Sequence, residues 1–163
     1  MKKTTALIMI VCMAFLSGCA TYQINGVPLD KFQYATTEEW AKMAAGVVTS
    51  MATHWAGHVM YLEMNGIEWH QKGVCEWVDE PTSDGKMSAM GRAGFVSQLS
   101  VGLILDVLGA EKHFVTGYHV GSLLEVVSYP VTGNGDLELI NRAGDARLEW
   151  VGYTAASAAL LVR

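Results

Sequence analysis

Between Lys42 and Glu63 the chain runs for twenty residues, Met43–Leu62, without a charged side chain when its two histidines are neutral. So long a run exceeds an ordinary strand, and helix is the form that satisfies its backbone within one segment. Thr36 or Thr37 before Glu38 and Glu39 is a helix start, with acids placed in the positive first turn. Asn65-Gly66 is a stop. The first long helix is therefore expected from about Glu38 to Met64. It carries "HWAGH", which sets His54 and His58 four residues apart and so on one helix face.

The rest of the chain repeats the pattern in shorter pieces. A second helix is expected over Ser88 to Leu108, closing at Gly109, and a third from about Phe114 to Ser128, ending near Pro130. The final "WVGYTAASAALLVR" reads as a small-residue helix, and "LELI" as a short strand or a helical turn. Between the first two helices, residues 67–86 are charged, aromatic and broken by Gly73, Pro81 and Gly85; "GVCEWV" alternates as a short strand does. The fold class that follows is mainly α: a compact bundle of about four apolar helices with a short strand or loop insertion.

Whether that bundle stands in water or is embedded in a membrane is a separate question. Charges within the helices are scarce: Arg92 and Asp106 bracket the second, and Glu125 lies in the third. Small residues recur at helix-contact spacing in the pairs Ala52/Ala56, Gly152/Ala156 and Ala155/Ala159, a pattern favoured between membrane helices. Against embedding, the apolar runs are short or interrupted, and the last is well under the roughly twenty residues a span needs. The balance leans slightly toward embedding.

The start of the chain speaks to location. "MKKTTALIMIVCMAFLSGC" gives a positive start, an apolar run too short to span a bilayer, and small residues leading to a cysteine. Its last four residues, "LSGC", resemble the bacterial lipobox, in which the cysteine is acylated and becomes the first mature residue. The resemblance implies a signal peptide over 1–18, a lipidated Cys19 with a tether over 19–37, and a single helical domain over 38–163. It also implies a lipoprotein of the bacterial cell envelope, at the inner or the outer membrane, held by palmitate-type chains. Each buried methylene contributes about 0.8 kcal/mol, so several chains anchor stably.

Removing Lys2 and Lys3 with the signal lowers Lys+Arg from 11 to 9 against 16 Asp+Glu, a formal charge of -7 instead of -5. An acidic chain with no basic run excludes nucleic acid as a partner. Cys12 leaves with the signal and Cys19 takes lipid, so Cys75 has no partner within the chain; it is expected to be buried, bound to a metal or paired between chains. No serine-nucleophile elbow or nucleotide-binding loop is present.

Two histidines at this spacing can both reach one metal ion, zinc by preference, but a zinc site needs a third protein ligand. Glu63 cannot supply it, being about 180° around the helix from His54. His119, Glu125 and Asp136 are the candidates elsewhere. "HWAGHVMYLEMNG", the later "GRAGFVSQLSVG" and "GNGD" resemble the membrane-embedded zinc metalloproteases of the site-2 protease kind. The resemblance implies His54 and His58 as zinc ligands and Asp136 as the distal third. The family's catalytic glutamate falls on Trp55, which cannot accept a proton. Glu125 is then the candidate for a catalytic acid or base, with Arg92 or a histidine as its structural partner. His119 is expected to be a buried neutral imidazole with one backbone partner, and His113 a solvated loop residue. Two functions follow: a non-catalytic, lipid-anchored structural or interaction protein that meets the membrane or another envelope protein, or a metallopeptidase-like metal binder.

Overall fold

The computed structural model describes residues 23–24, 27–28, 34–72, 75–78, 82–132 and 135–162. The expected signal segment and Cys19 lie outside these residues, as does the side chain of Cys75. Among the described residues there are five helices and two small antiparallel strand pairs. Strands β1 (Gln23–Ile24) and β2 (Val27–Pro28) flank Asn25-Gly26, and β3 (Trp69–Lys72) pairs with β4 (Cys75–Val78). The helices are α1 (Thr37–Met64), α2 (Asp84–Val107), α3 (Lys112–Thr132), α4 (Asp136–Ile140) and α5 (Ala146–Leu161). The mainly helical bundle expected from the sequence is the architecture found.

Local chemistry sets the helix ends. Thr36 caps α1 in a reciprocal box, its hydroxyl accepting from the Glu39 amide while the Glu39 carboxylate accepts from the Thr36 amide. Ser83 caps α2, which starts four residues earlier than expected because Asp84-Gly85 opens the helix rather than turning the chain. Helix α3 continues through position 130 to Thr132. Proline has no amide proton to give the carbonyl of Val126, four residues back. The Trp150 indole of α5 donates to that carbonyl at 2.8 Å instead, so the missing backbone bond becomes a contact between helices.

The helices meet at glycines, so closely that no side chain fits between them. A Cβ on Gly117 of α3 would lie 1.9 Å from the Met43 carbonyl oxygen of α1, and one on Gly46 would lie 2.1 Å from that of Phe114. Gly57 brings α1 onto Ala93 and Ser97 of α2, and Gly91 brings α4 onto α2. The small-residue pairs expected to make these contacts are mostly turned outward: Ala52, Ala56, Gly152, Ala155 and Ala159 are exposed, and Ala156 is half-buried. Glycine wins because only a residue without Cβ allows backbones to touch.

Close approach leaves a polar interior. Phe95, Val126, Ile140 and Ala146 form an apolar cluster, with Trp150 and Tyr153 packed against it. Beside it Ser50, His54, His58, Gln98, His119 and Asp136 are all buried. The outward faces are apolar instead, with Val48, Met51 and Met60 of α1 and Leu103, Ile104 and Val107 of α2 exposed. The leaning toward membrane embedding finds no support in helix hydropathy: among the described residues no helix is long and apolar enough to cross a membrane. Each long helix turns a polar stripe inward, and that stripe lowers its mean hydropathy.

Gly117→Ala should destabilise the domain by about 3 kcal/mol, because the backbones of α1 and α3 must part to admit a methyl group. Gly152→Ala meets nothing within 4 Å and sits inside a helix, so it should stabilise by about 1 kcal/mol. Chemical denaturation of the two variants should therefore move in opposite directions.

Candidate metal centre

Four helices converge on one buried point. Helix α1 supplies His54 and His58, whose rings meet edge to face at 4.7 Å. Helix α4 supplies Asp136, whose Oδ2 lies 2.7 Å from His54 Nε2 and whose Oδ1 lies 3.3 Å from His58 Nε2. Helix α3 supplies Tyr129, whose hydroxyl donates to Asp136 Oδ2 at 2.7 Å and sits 3.3 Å from His54 Nε2. Helix α2 supplies the floor: a Cβ on Gly94 would lie 2.4 Å from His54 Nε2 and 2.6 Å from His58 Nε2. His54, His58 and Asp136 are 3%, 4% and 7% exposed.

The position of Asp136 is set by packing outside the cluster. Gly135 precedes it with φ 91, in the half of conformational space that glycine enters without strain. The Ser88 hydroxyl of α2 donates to the Ile140 carbonyl at 3.0 Å and fixes the far end of α4. The short helix is thus held at both ends against α2.

Each imidazole has a defined second side. His58 Nδ1 donates to the Met90 carbonyl at 2.9 Å, which leaves the lone pair of a neutral ring on Nε2, facing Asp136. Two acceptors 3.3 Å apart call for a positive charge between them, a proton or a metal ion. His54 Nδ1 is buried without a hydrogen-bond partner, and Glu125 Oε1 stands 3.8 Å from it. If Nε2 of His54 holds a metal, the ring proton moves to Nδ1 and faces that carboxylate, the arrangement that commonly orients metal-binding histidines.

The two carboxylates are driven in opposite directions. Burial alone would raise the pKa of Asp136, but hydrogen bonds from His54 and His58 and their charges hold it well below the usual carboxylate range. Glu125 is raised, chiefly by burial; His54 and the Gln98 amide, which donates to it at 2.8 Å, only partly oppose this. Gln98 also donates to the Ser50 hydroxyl at 2.8 Å, tying Glu125 to α1 through α2. Burial likewise pushes Tyr118 up to about 12; its hydroxyl donates to the Gln98 carbonyl at 3.0 Å.

Of the residues singled out in the sequence, His54, His58 and Asp136 come together, with one ligand atom from each lying within 4.8 Å of the others. Glu125 reaches only the Nδ1 side of His54, away from the converging nitrogens. Of its two expected partners, Arg92 or a histidine, the histidine is the one beside it, and Arg92 is engaged elsewhere, in a two-pronged bond to Glu149 at 2.8 and 2.7 Å. His119 pairs with the Asp106 carboxylate at 3.1 Å, and His113 lies in α3 between Glu39 and Glu111. Glu63 faces away, as its helix angle required, and accepts from the Trp69 indole at 2.8 Å. Trp55 is exposed on the outer face of α1. Tyr129 and Gly94 were not foreseen. Tyr129 lies four residues after Glu125 and so shares its helix face, which is a usable signal; Gly94 gives none.

Compared with protein-family models, with curated proteins and with solved structures, the chain matches none.

The pKa directions fix the pH response. A carboxyl whose folded value is depressed contributes stability above its usual value of about 4, lost as pH falls below it. Asp136→Asn should therefore lower stability by a constant amount near neutrality, and the difference from wild type should shrink as pH falls below about 4. Glu125→Gln should do the reverse, gaining on wild type as pH rises above about 4, because it removes a carboxylate that burial disfavours. Urea denaturation of both variants between acid and neutral pH checks the signs.

Proposed function

We propose that this chain is a lipid-anchored protein of the bacterial cell envelope whose helical domain binds a divalent metal ion, zinc foremost, through His54, His58 and Asp136. The observation that carries the metal reading is the convergence of two imidazole nitrogens and a carboxylate at one buried point. Two nitrogens and an oxygen suit zinc and, by ligand type, also copper, nickel or iron. The orphaned Nδ1 of His54, with Glu125 beyond it, supports the same reading, since metal binding at Nε2 gives that atom a partner.

The role is binding rather than peptide hydrolysis. A hydrolytic zinc needs a base beside its bound water. Trp55 stands where such a base would be in the H-E-x-x-H pattern, and Glu125 lies beyond the far nitrogen of His54. The lipid anchor is supported by "LSGC" placed directly after an apolar run. Exposed apolar side chains along α1 and α2 support a structural or interaction role at the membrane or with another envelope protein.

Purified protein should carry about one zinc per chain by elemental analysis, and the His54→Ala/His58→Ala double variant none. Equal, negligible zinc in both would end the metal reading. Independently, Cys19→Ser should abolish labelling by a fatty-acid analogue and release the protein from membranes; persistent labelling would refute the anchor.

A further inference from the structure

We infer that the Tyr129 hydroxyl is the fourth ligand of the site, making it a closed His-His-Asp-Tyr centre with no position left for substrate. This rests on the metal reading above and adds to it the ligand that decides what the site can do.

Two separations among the donors are those of a coordination shell. Four donors about 2.0 Å from a central ion, arranged as a tetrahedron, stand about 3.3 Å from one another. His58 Nε2 to Asp136 Oδ1 is 3.3 Å, and His54 Nε2 to the Tyr129 hydroxyl is 3.3 Å. Two shorter separations, 2.7 Å from the other carboxylate oxygen, Asp136 Oδ2, to His54 and to Tyr129, are hydrogen bonds that an ion would replace. On the α2 side the backbone at Gly94 leaves no room for even a methyl group beside the two imidazoles. Tyr129 is itself held: its ring meets Phe95 at 5.4 Å, and Gly135 packs so close that a Cβ there would lie 2.8 Å from the ring. A catalytic zinc site leaves its fourth position to water, whereas a structural one fills it with protein. Here the atom standing at that position is a phenol oxygen.

In ligation the phenol O–H bond breaks and an oxygen–metal bond forms, while the proton now given to Asp136 leaves to solvent. The metal keeps its oxidation state. A phenolate ligand is recognisable, because with Cu²⁺ it gives a visible charge-transfer absorption that histidine and carboxylate ligands do not.

The test compares the full chain with its Tyr129→Phe variant, which retains the ring and its packing. Each is loaded with Zn²⁺ for affinity and with Cu²⁺ for the spectrum, and circular dichroism establishes that both are folded. The wild type should bind Zn²⁺ at least about 10-fold more tightly than the variant. Its Cu²⁺ form should show the phenolate band, and that of Tyr129→Phe should lack it. A wild-type Cu²⁺ form without the band overturns the inference even if the variant binds zinc more weakly, since the hydroxyl then acts only as a donor to Asp136. Equal affinities with identical spectra overturn it as well. Failure of the wild type to take up either metal brings down the metal reading itself, and so is distinguishable from failure of the fourth ligand alone.

Discussion

A carboxylate with almost no access to water must be met by donors or by positive charge, and Asp136 faces the Tyr129 hydroxyl and the ring nitrogens of His54 and His58. That requirement organises the domain. It draws α4 against α2, where Gly91 permits contact and Ser88 holds the end. It requires α1 and α2 to approach until Gly94 lies under both imidazoles. Removing one partner from such a buried charged group typically costs about 3–5 kcal/mol. Few other single contacts in a domain of this size carry as much.

The same demand explains why a polar seam runs through the interior while apolar side chains of α1 and α2 face outward. Three of the helices share a seam of serine, glutamine, histidine and acid side chains, each of which needs a partner when buried. Glycine-mediated contact brings the partners within reach: the Ser50–Gln98–Glu125 chain crosses from α1 through α2 to α3. Space given to polar groups is lost to apolar ones. Residues such as Val48, Met60, Leu103 and Val107 are left on the outside, where an ordinary amphipathic helix would present charge.

Much of this was legible in the sequence, for identifiable reasons. Helix α1 was readable because an uncharged run between a capping box and Asn65-Gly66 has one sensible conformation. His54 and His58 shared a face by arithmetic, and Glu63 was excluded by the same arithmetic. Asp136 stood as one of three candidates until the resemblance singled it out, since nothing local says that a five-residue helix will carry it back to α1. Which of Arg92 and a histidine would meet Glu125, and that Asp106 would meet His119, could not be read because ion pairs between helices depend on relative rotation and height, which composition does not contain. Pro130 misled in an instructive way: its rule concerns the lost amide bond, and Trp150, from a later helix, makes good that loss.

His54 and Asp136 are separated by 82 residues. The two imidazoles are paired as soon as α1 exists, but their acid arrives only after α2 and α3 have been laid down and the chain has turned back at Gly135. Closing so long a loop comes late in entropy terms. The middle of the first helix is consequently inspected by the last third of the chain: if α4 fails to dock, the two imidazoles lose the carboxylate between them, and the bundle is left with a fault at its centre rather than a frayed end.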